Sequence, residues 1–170
     1  VVTNDSTLFR WVKSWKNNVK PTNHDIGTNS RMSEVDCALM LVKSRYIDSW
    51  QKRREEIATY WRDRFRGSAV RCLINRDNYH DHGYHKFVID ADRRDDLQKN
   101  LAVRGIDTRV HYAQPLHEID IYRQWPGPDI LSKSSALARR VLSLPFYPEL
   151  TDLSVEYIAD QVLEFVKSVG

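Results

Sequence analysis

Two short polar segments of the sequence have residue types and positions that could carry chemistry. Residues 27–31, GTNSR, directly precede a predicted helix. Backbone N–H groups at a helix N-terminus, together with an Asn amide and an Arg guanidinium, can hold a phosphate, although such a loop often only satisfies the helix end. His111 and Tyr112 end a predicted strand, with His117 in the loop that follows. They could line a pocket and handle protons, or be ordinary polar residues at a strand exit.

The histidine cluster His80, His82 and His85 has a spacing that could suit a transition metal. Two of the three lie in a predicted loop, and no further acidic or cysteine ligand follows at a metal-site spacing. We therefore interpret the cluster as part of a polar hairpin loop and predict no metal site. Cys37 and Cys72 are interpreted as small core residues of a protein from a reducing compartment. The motifs GxSxG, HExxH, CxxC and the P-loop do not occur, so nothing supports a hydrolase, an NTPase or a zinc protein.

The longest element that must position these segments is a helix predicted over residues 33–66. Ser33 caps its start, with a carboxylate at the third helical position. Apolar residues then recur at helical spacing until Gly67, a natural stop. Such a helix would be about 50 Å long at 1.5 Å per residue, with Cys37 on its buried side. We expect it to pack against a second domain or a partner along part of its length.

The rest of the chain predicts a small sheet and several shorter helices. The candidate strands cover residues 69–74, 84–90 and 106–112. Further helices are predicted to be capped by Ser6, Asp92 and Thr151, and one more covers residues 134–142. The order of these elements predicts an α+β fold, in which a small antiparallel sheet is covered by helices, one of them long.

Length and composition set outer limits on the class of protein. A chain of 170 residues is long enough for one domain with its own core. With 41% hydrophobic and 29% charged residues it resembles an ordinary globular protein, which disfavours disorder and coiled coils. No apolar run approaches the roughly 20 residues of a membrane helix. The net charge of +3 is mild, so we expect no nucleic-acid partner, no membrane and a cytoplasmic location.

Segments spread over nearly the whole chain follow one another in the order of a known family's motifs. The sequence contains GTNSRMSEVDCA at 27–38, RREEIATY at 53–60, YHKFVI at 84–89, RGIDTRVHY at 104–112, PLH at 115–117 and LSLPFYPELT at 142–151. Together they resemble the DegT/StrS family of pyridoxal-phosphate-dependent aminotransferases, which act on nucleotide-linked keto-sugars.

The resemblance implies a place for this chain within a longer enzyme. The chain would be the C-terminal domain, beginning shortly after the Schiff-base lysine, so that no catalytic residue lies within it. Residues 1–32 would be a connecting segment with the cofactor loop, 33–66 the long helix, and 67–170 a small α+β domain. This arrangement is similar to the C-terminal domain of a fold-type I pyridoxal-phosphate-dependent transferase, whose complete fold is α/β.

The resemblance also implies roles for individual residues. Asn29 matches the residue that reaches across a dimer interface to the cofactor phosphate of the partner subunit, which implies a homodimer with shared active sites. Arg31 would brace this loop or touch substrate. His111 and Tyr112 match the strand end that approaches the sugar-nucleotide pocket, and His117 would stand in the same wall.

The implied activity is the transfer of an amino group to a nucleotide-linked keto-sugar. Glutamate would be the amino donor and pyridoxal 5'-phosphate the cofactor, which supplies the electron sink while the protein orients the reactants. The fragment alone would be inactive. One alternative is a sugar dehydratase of the same family, in which the lysine is replaced. Another is a non-catalytic, stand-alone module for dimerisation or binding.

Overall fold

The computed structural model describes residues 3–16, 27–28, 30–73, 82–123 and 131–169. The chain separates into two compact units, Val1–Ile47 and Asp48–Gly170. The second unit combines helices with a small antiparallel sheet, so the predicted α+β class is confirmed. Among the described residues, no helix is both long enough and apolar enough to cross a membrane.

Three short strands form the sheet that the structure describes in the second unit. They are β1 (Arg71–Cys72), β2 (Phe87–Asp90) and β3 (Val141–Leu144), in the order β1-β2-β3 with antiparallel neighbours. Phe87 pairs with Leu144 and Asp90 with Val141. Since strand side chains alternate between faces, this register brings the buried Phe87 and Leu144 to one side of the sheet.

The prediction for the third strand was wrong. Residues 106–112 contribute only an isolated bridge between Arg109 and Ser143, and the third strand is β3. The helix predicted over residues 134–142 ends at Ala138 instead. All four residues of β3 are buried, because the strand is covered on both faces. Pro145, which cannot donate to a ladder, follows the last residue of the strand.

The structure describes five helices in the second unit. They are α3 (Ile47–Phe65), α4 (Arg94–Val103), α5 (Asp120–Arg123), α6 (Ser132–Ala138) and α7 (Asp152–Val169), with a 3-10 turn at Leu116–Glu118. Trp61 of α3 is fully buried, and its indole N–H donates to the Val155 carbonyl of α7 at 2.8 Å. Its ring meets Phe87 edge-on at 5.0 Å between centroids. These contacts tie two helices to the middle strand.

A buried carboxylate braces the sheet. Asp90, at the end of β2, is 2% exposed and accepts hydrogen bonds from Arg71 at 2.6 Å and Arg140 at 2.5 Å. Arg140 also pairs with Asp92. Asp92 was predicted to cap the next helix, but Arg93, in a left-handed conformation, stands before α4 instead. The Asp92 carboxylate therefore serves the arginine cluster, and the prediction that it caps the helix was wrong.

In the part of the first unit that the structure describes there are two helices, α1 (Ser6–Trp15) and α2 (Glu34–Ser44). Asp5, and not the predicted Ser6, caps α1 by accepting from the backbone amides of Thr7 and Leu8. Ser33 caps α2 as predicted, with its hydroxyl accepting from the Asp36 amide at 3.1 Å. The caps are thus set by local side chains that satisfy the first amides of each helix.

The helix predicted over 33–66 is two helices, α2 and α3, separated by Arg45 and Tyr46. The amides of these two residues bond to carbonyls three residues back, at Val42 and Lys43, so the turn tightens at the end of α2. The Ser44 hydroxyl also donates to the Leu41 carbonyl at 2.8 Å. It thereby competes with the backbone amides for this carbonyl as a hydrogen-bond acceptor.

Every residue of α2 is exposed in this chain, and Cys37 is among them. The expectation that Cys37 is buried was therefore wrong for the described chain. The apolar side chains of this helix include Val35, 70% exposed, and Leu41, 68% exposed. The spacing of these side chains correctly predicted a helix. It also predicted a buried side, but none of the described residues covers these side chains.

Candidate functional site

His111 is positioned by the bridge between residue 109 and strand β3. Arg109 and Ser143 exchange both backbone hydrogen bonds, at 3.1 and 2.7 Å. Two residues further along, the Nδ1 atom of His111 lies 2.9 Å from the Ser143 hydroxyl. Ser143 is 5% exposed, so this hydrogen bond is shielded from water. The imidazole is therefore fixed to a strand whose own position is set by the ladder with β2.

The environment of His111 favours the neutral imidazole. Partial burial lowers its pKa below the ordinary value of 6.5, and the positive charges of Lys86, His85 and Arg109 lower it further. A neutral imidazole has one nitrogen that donates and one that accepts. At neutral pH this histidine can accordingly accept a hydrogen bond or a proton from a ligand hydroxyl or amine.

Tyr112 stands beside His111 with its side chain open to solvent. It is 73% exposed, and its ring lies edge-on to the imidazole at 5.5 Å between centroids. A cis peptide bond joins the two residues. The structure thus brings together two of the residues predicted to bind substrate.

His117 belongs to a second, separate group of polar side chains. Its Nε2 atom lies 3.1 Å from the Ser135 hydroxyl of α6, and that hydroxyl donates to the Glu118 carboxylate at 2.5 Å. The imidazole and this carboxylate are 3.7 Å apart. These contacts fasten the 3-10 turn to α6, so His117 has a structural role that the sequence did not indicate.

The predicted phosphate loop lies in the first unit. Asn29 falls outside the described residues, and Arg31 is exposed. The flanking amides of Thr28 and Ser30 donate to the carbonyls of Trp15 and Lys16, at 2.8 and 3.0 Å. The backbone N–H groups of Thr28 and Ser30 therefore already have acceptors, whereas their side-chain hydroxyls are available to a ligand.

The two hydroxyls that flank Asn29 lie next to each other. Thr28 Oγ1 and Ser30 Oγ are 2.7 Å apart, and one of them donates to the other. The start of α2 carries its own carboxylates, Glu34 and Asp36, in the first turn. Because these negative charges compensate the positive end of the helix, the helix N-terminus adds little attraction for an anion.

The histidine cluster predicted to be a polar loop is only partly described. His80 falls outside the described residues. His82 accepts from the Tyr84 amide through Nδ1 at 2.9 Å, and His85 lies with Nε2 at 2.6 Å from the Lys86 ammonium. Within the described ranges, no group of His, Cys, Asp or Glu side chains is arranged to hold a metal.

Ser143 and Lys86 are the neighbours of His111 that the sequence analysis did not identify. A signal for Ser143 existed, since it is a lone polar residue between Leu142 and Leu144 in the segment LSLP. No local pattern connects residues 86 and 143 with residue 111, because only the sheet register brings them near each other.

Comparison with known proteins extends over nearly the whole chain. Residues 1–163 match the model of the DegT/DnrJ/EryC1/StrS aminotransferase family. A dTDP-3-amino-3,4,6-trideoxy-alpha-D-glucose transaminase of Streptomyces venezuelae is 32% identical over 173 residues, which cover 99% of this chain and 46% of that relative. A pleiotropic regulatory protein of Geobacillus stearothermophilus is 32% identical over 175 residues, covering 98% of this chain and 46% of that relative.

A solved structure agrees with the fold. The structure of S. venezuelae DesV in complex with a ketimine intermediate matches with a TM-score of 0.88 and 30% sequence identity, covering 98% of this chain and 46% of DesV. The chain therefore spans about half the length of the curated relatives it matches.

Proposed function

Because this chain belongs to the DegT/DnrJ/EryC1/StrS aminotransferase family, we propose that it is the C-terminal part of a nucleotide-sugar aminotransferase. The complete enzyme transfers an amino group from glutamate to a keto-sugar carried on a nucleotide. The observation that carries this proposal is the family match over residues 1–163, supported by the relative that is a dTDP-amino-sugar transaminase. Its two unpaired cysteines fit a reducing compartment, and we place the enzyme in the cytoplasm.

The proposed cofactor is pyridoxal 5'-phosphate, which supplies an electron sink at the carbon that carries the amine when it is bound. The loop at residues 28–30 fits the phosphate of this cofactor through side chains. The hydroxyls of Thr28 and Ser30 share one hydrogen bond, so one hydroxyl hydrogen is left for a further acceptor. Asn29 stands between them in the sequence, and we propose that its amide donates to the phosphate.

We place this phosphate in the active site of a neighbouring subunit, in a homodimer. Arg31 follows the loop and is exposed, so it can brace the loop or touch the substrate. In this arrangement each subunit completes the other's site, and two copies are needed for activity.

His111 and Tyr112 are proposed to face the nucleotide-linked sugar. The Ser143 hydroxyl holds the imidazole through Nδ1, which leaves Nε2 to meet a substrate hydroxyl. The exposed Tyr112 ring presents a phenol and an apolar face beside it. We propose His117, which is bonded to Ser135, as an outer residue of the same wall.

The test is a transamination assay on the complete protein that contains this chain. The protein is supplied with pyridoxal 5'-phosphate, glutamate and a panel of nucleotide-linked keto-sugars, and 2-oxoglutarate is measured. We expect 2-oxoglutarate to form over many turnovers only when a keto-sugar acceptor is present, since without it the amino group can pass no further than the cofactor. His111→Ala should raise KM for the sugar by about fivefold, since one hydrogen bond to the substrate is worth roughly 1 kcal/mol.

Two outcomes would overturn the proposal. Consumption of the sugar without 2-oxoglutarate would indicate the dehydratase of the same family. Absence of any reaction, with a stable dimer, would indicate a non-catalytic dimerisation module. Lys99→Ala, at an exposed position of α4, serves as the control variant and should leave KM unchanged.

A further inference from the structure

We propose that Lys86, together with His85 and Arg109, forms a cationic subsite beside His111 that binds the diphosphate of the nucleotide-linked substrate. This inference rests on the proposed function for the identity of the nucleotide. It adds three residues for which neither the motifs nor the comparisons give a role.

The sheet register places Lys86 and Arg109 on one face. Val88 of β2 is paired with Ser143 of β3, and Arg109 is bridged to the same serine from the other side. Side chains directly opposite each other share a face, and so do residues two positions apart in a strand. Lys86 stands two positions before Val88, so it falls on the face that carries Ser143 and Arg109.

The side-chain nitrogens of this group lie close together. The Lys86 ammonium is 2.6 Å from Nε2 of His85, its neighbour in the sequence. Arg109 is bridged to Ser143, and the His111 ring is bonded to the hydroxyl of the same serine. The positive charges of Lys86, His85 and Arg109 all lower the pKa of His111, in agreement with this arrangement.

Little negative charge opposes this group among the described residues. Arg109 is paired with Asp107 at 3.0 Å, but both side chains are more than 70% exposed and the pair is screened by water. No acidic side chain of the described chain is paired with Lys86. Asp90, on the same strand face, is already neutralised by Arg71 and Arg140.

A diphosphate is the ligand class that fits a lysine, an arginine and an imidazole donor around one point. Its several anionic oxygens accept charge-assisted hydrogen bonds from more than one cation at once. The subsite would contribute to this chain's choice of substrate.

The experiment titrates the full chain with inorganic pyrophosphate at about 50 mM salt, where screening is weak. Binding is followed by calorimetry and by the NMR signals of the His111 ring. Lys86→Met removes the charge while keeping the length of the side chain. Lys99→Met removes the same charge from an exposed position of α4 and is the matched control.

We expect Lys86→Met and Arg109→Gln each to weaken pyrophosphate binding about tenfold, and Lys99→Met less than twofold. The pKa of His111 should rise when pyrophosphate binds, because an anion offsets the cations beside the ring. Equal weakening by the Lys86 and Lys99 variants would overturn the subsite, and so would binding that leaves the His111 signals unmoved.

This test is independent of the amino transfer, since it uses neither keto-sugar nor cofactor. Lys86-dependent pyrophosphate binding in a protein without aminotransferase activity would refute the proposed function and retain the subsite. An active aminotransferase in which Lys86→Met changes neither pyrophosphate binding nor KM for the sugar would refute the subsite alone.

Discussion

Ser143→Ala separates the role of His111 in the site from the stability of the fold. The Ser143 hydroxyl lies 2.9 Å from Nδ1 of His111 and is buried in the middle of β3. The substitution removes this hydroxyl while leaving the backbone hydrogen bonds with Arg109 in place. We therefore expect the strand to persist and the imidazole to lose its anchor.

The magnitude follows from one shielded hydrogen bond between neutral groups. Its loss costs about 1 kcal/mol in the free energy of unfolding, since the net worth of such a bond is roughly 0.5–1.5 kcal/mol. For a chain of this size, the Tm should fall by about 2–4 °C. Burial is the largest cause of the lowered pKa of His111, so admitting water should raise that pKa towards the ordinary value of 6.5.

The pH dependence of stability provides a second readout. A histidine whose pKa is lowered by folding stabilises the protein while neutral, and that contribution is lost as the pH falls below 6.5. In Ser143→Ala the loss should be smaller, because the folded and unfolded pKa values lie closer together. Urea unfolding at pH 7.5 and pH 5.5, with NMR titration of the histidine rings, measures both effects.

Ser135→Ala is the matched control, because Ser135 makes the corresponding hydrogen bond with His117 at 3.1 Å. It should shift the His117 signals and leave those of His111 in place, whereas Ser143→Ala should do the reverse. A Ser143 variant that unfolds, or one whose His111 signals and pKa are unchanged, would refute the proposed anchoring of this ring.

Three further predictions concern the core, the ion cluster and the cysteines. Trp61→Phe should lower the free energy of unfolding in urea by about 2–3 kcal/mol, because it removes the hydrogen bond to α7 and leaves a cavity. A change below about 1 kcal/mol would contradict the packing described. Asp90→Asn should cost about 2 kcal/mol, because it removes the buried negative charge and one of the two oxygens that accept from Arg71 and Arg140. An unchanged urea midpoint would contradict this. Brief iodoacetamide treatment at pH 8 should modify the exposed Cys37 and spare Cys72, as checked by peptide mass spectrometry. Burial raises the pKa of Cys72 from 9.0 to about 11, which leaves about 100-fold less thiolate, so equal labelling of the two thiols would refute the prediction.

Helix caps, in which the side chain and the amide lie within one turn of the chain, could be predicted from the sequence. Ser33 caps α2, and Thr151 precedes α7 with its hydroxyl accepting from the Ser154 amide at 3.2 Å. Both caps depend on a side chain and an amide three residues away. The local sequence contains everything that such a contact requires.

Strand pairing, which depends on residues far apart in the sequence, could not be predicted. Residues 106–112 have the composition of a strand, but β2 pairs with β3, and only Arg109 of that segment bridges to β3. The break between α2 and α3 came from the Ser44 hydroxyl and the tightened turn after it, which helical spacing of apolar residues does not register. Periodicity therefore predicted the elements better than it predicted their ends or partners.

The candidate site shows the same division. His111 and Tyr112 could be identified because they follow one another at the end of a segment with a recognisable motif. Ser143, which holds the imidazole, lies 32 residues away and becomes its neighbour only through the bridge to residue 109. The role of Asn29 stays a prediction, since it falls outside the described residues.

The most direct test of the account follows the amino group itself. The complete protein is incubated with pyridoxal 5'-phosphate, 15N-labelled glutamate and a nucleotide-linked keto-sugar, and the sugar is analysed by mass spectrometry and NMR. We predict that 15N appears on the sugar carbon that carried the ketone, at a rate reduced in the His111→Ala enzyme. A sugar that gains no 15N with any acceptor, from enzyme that binds the cofactor, would contradict the proposed aminotransferase function.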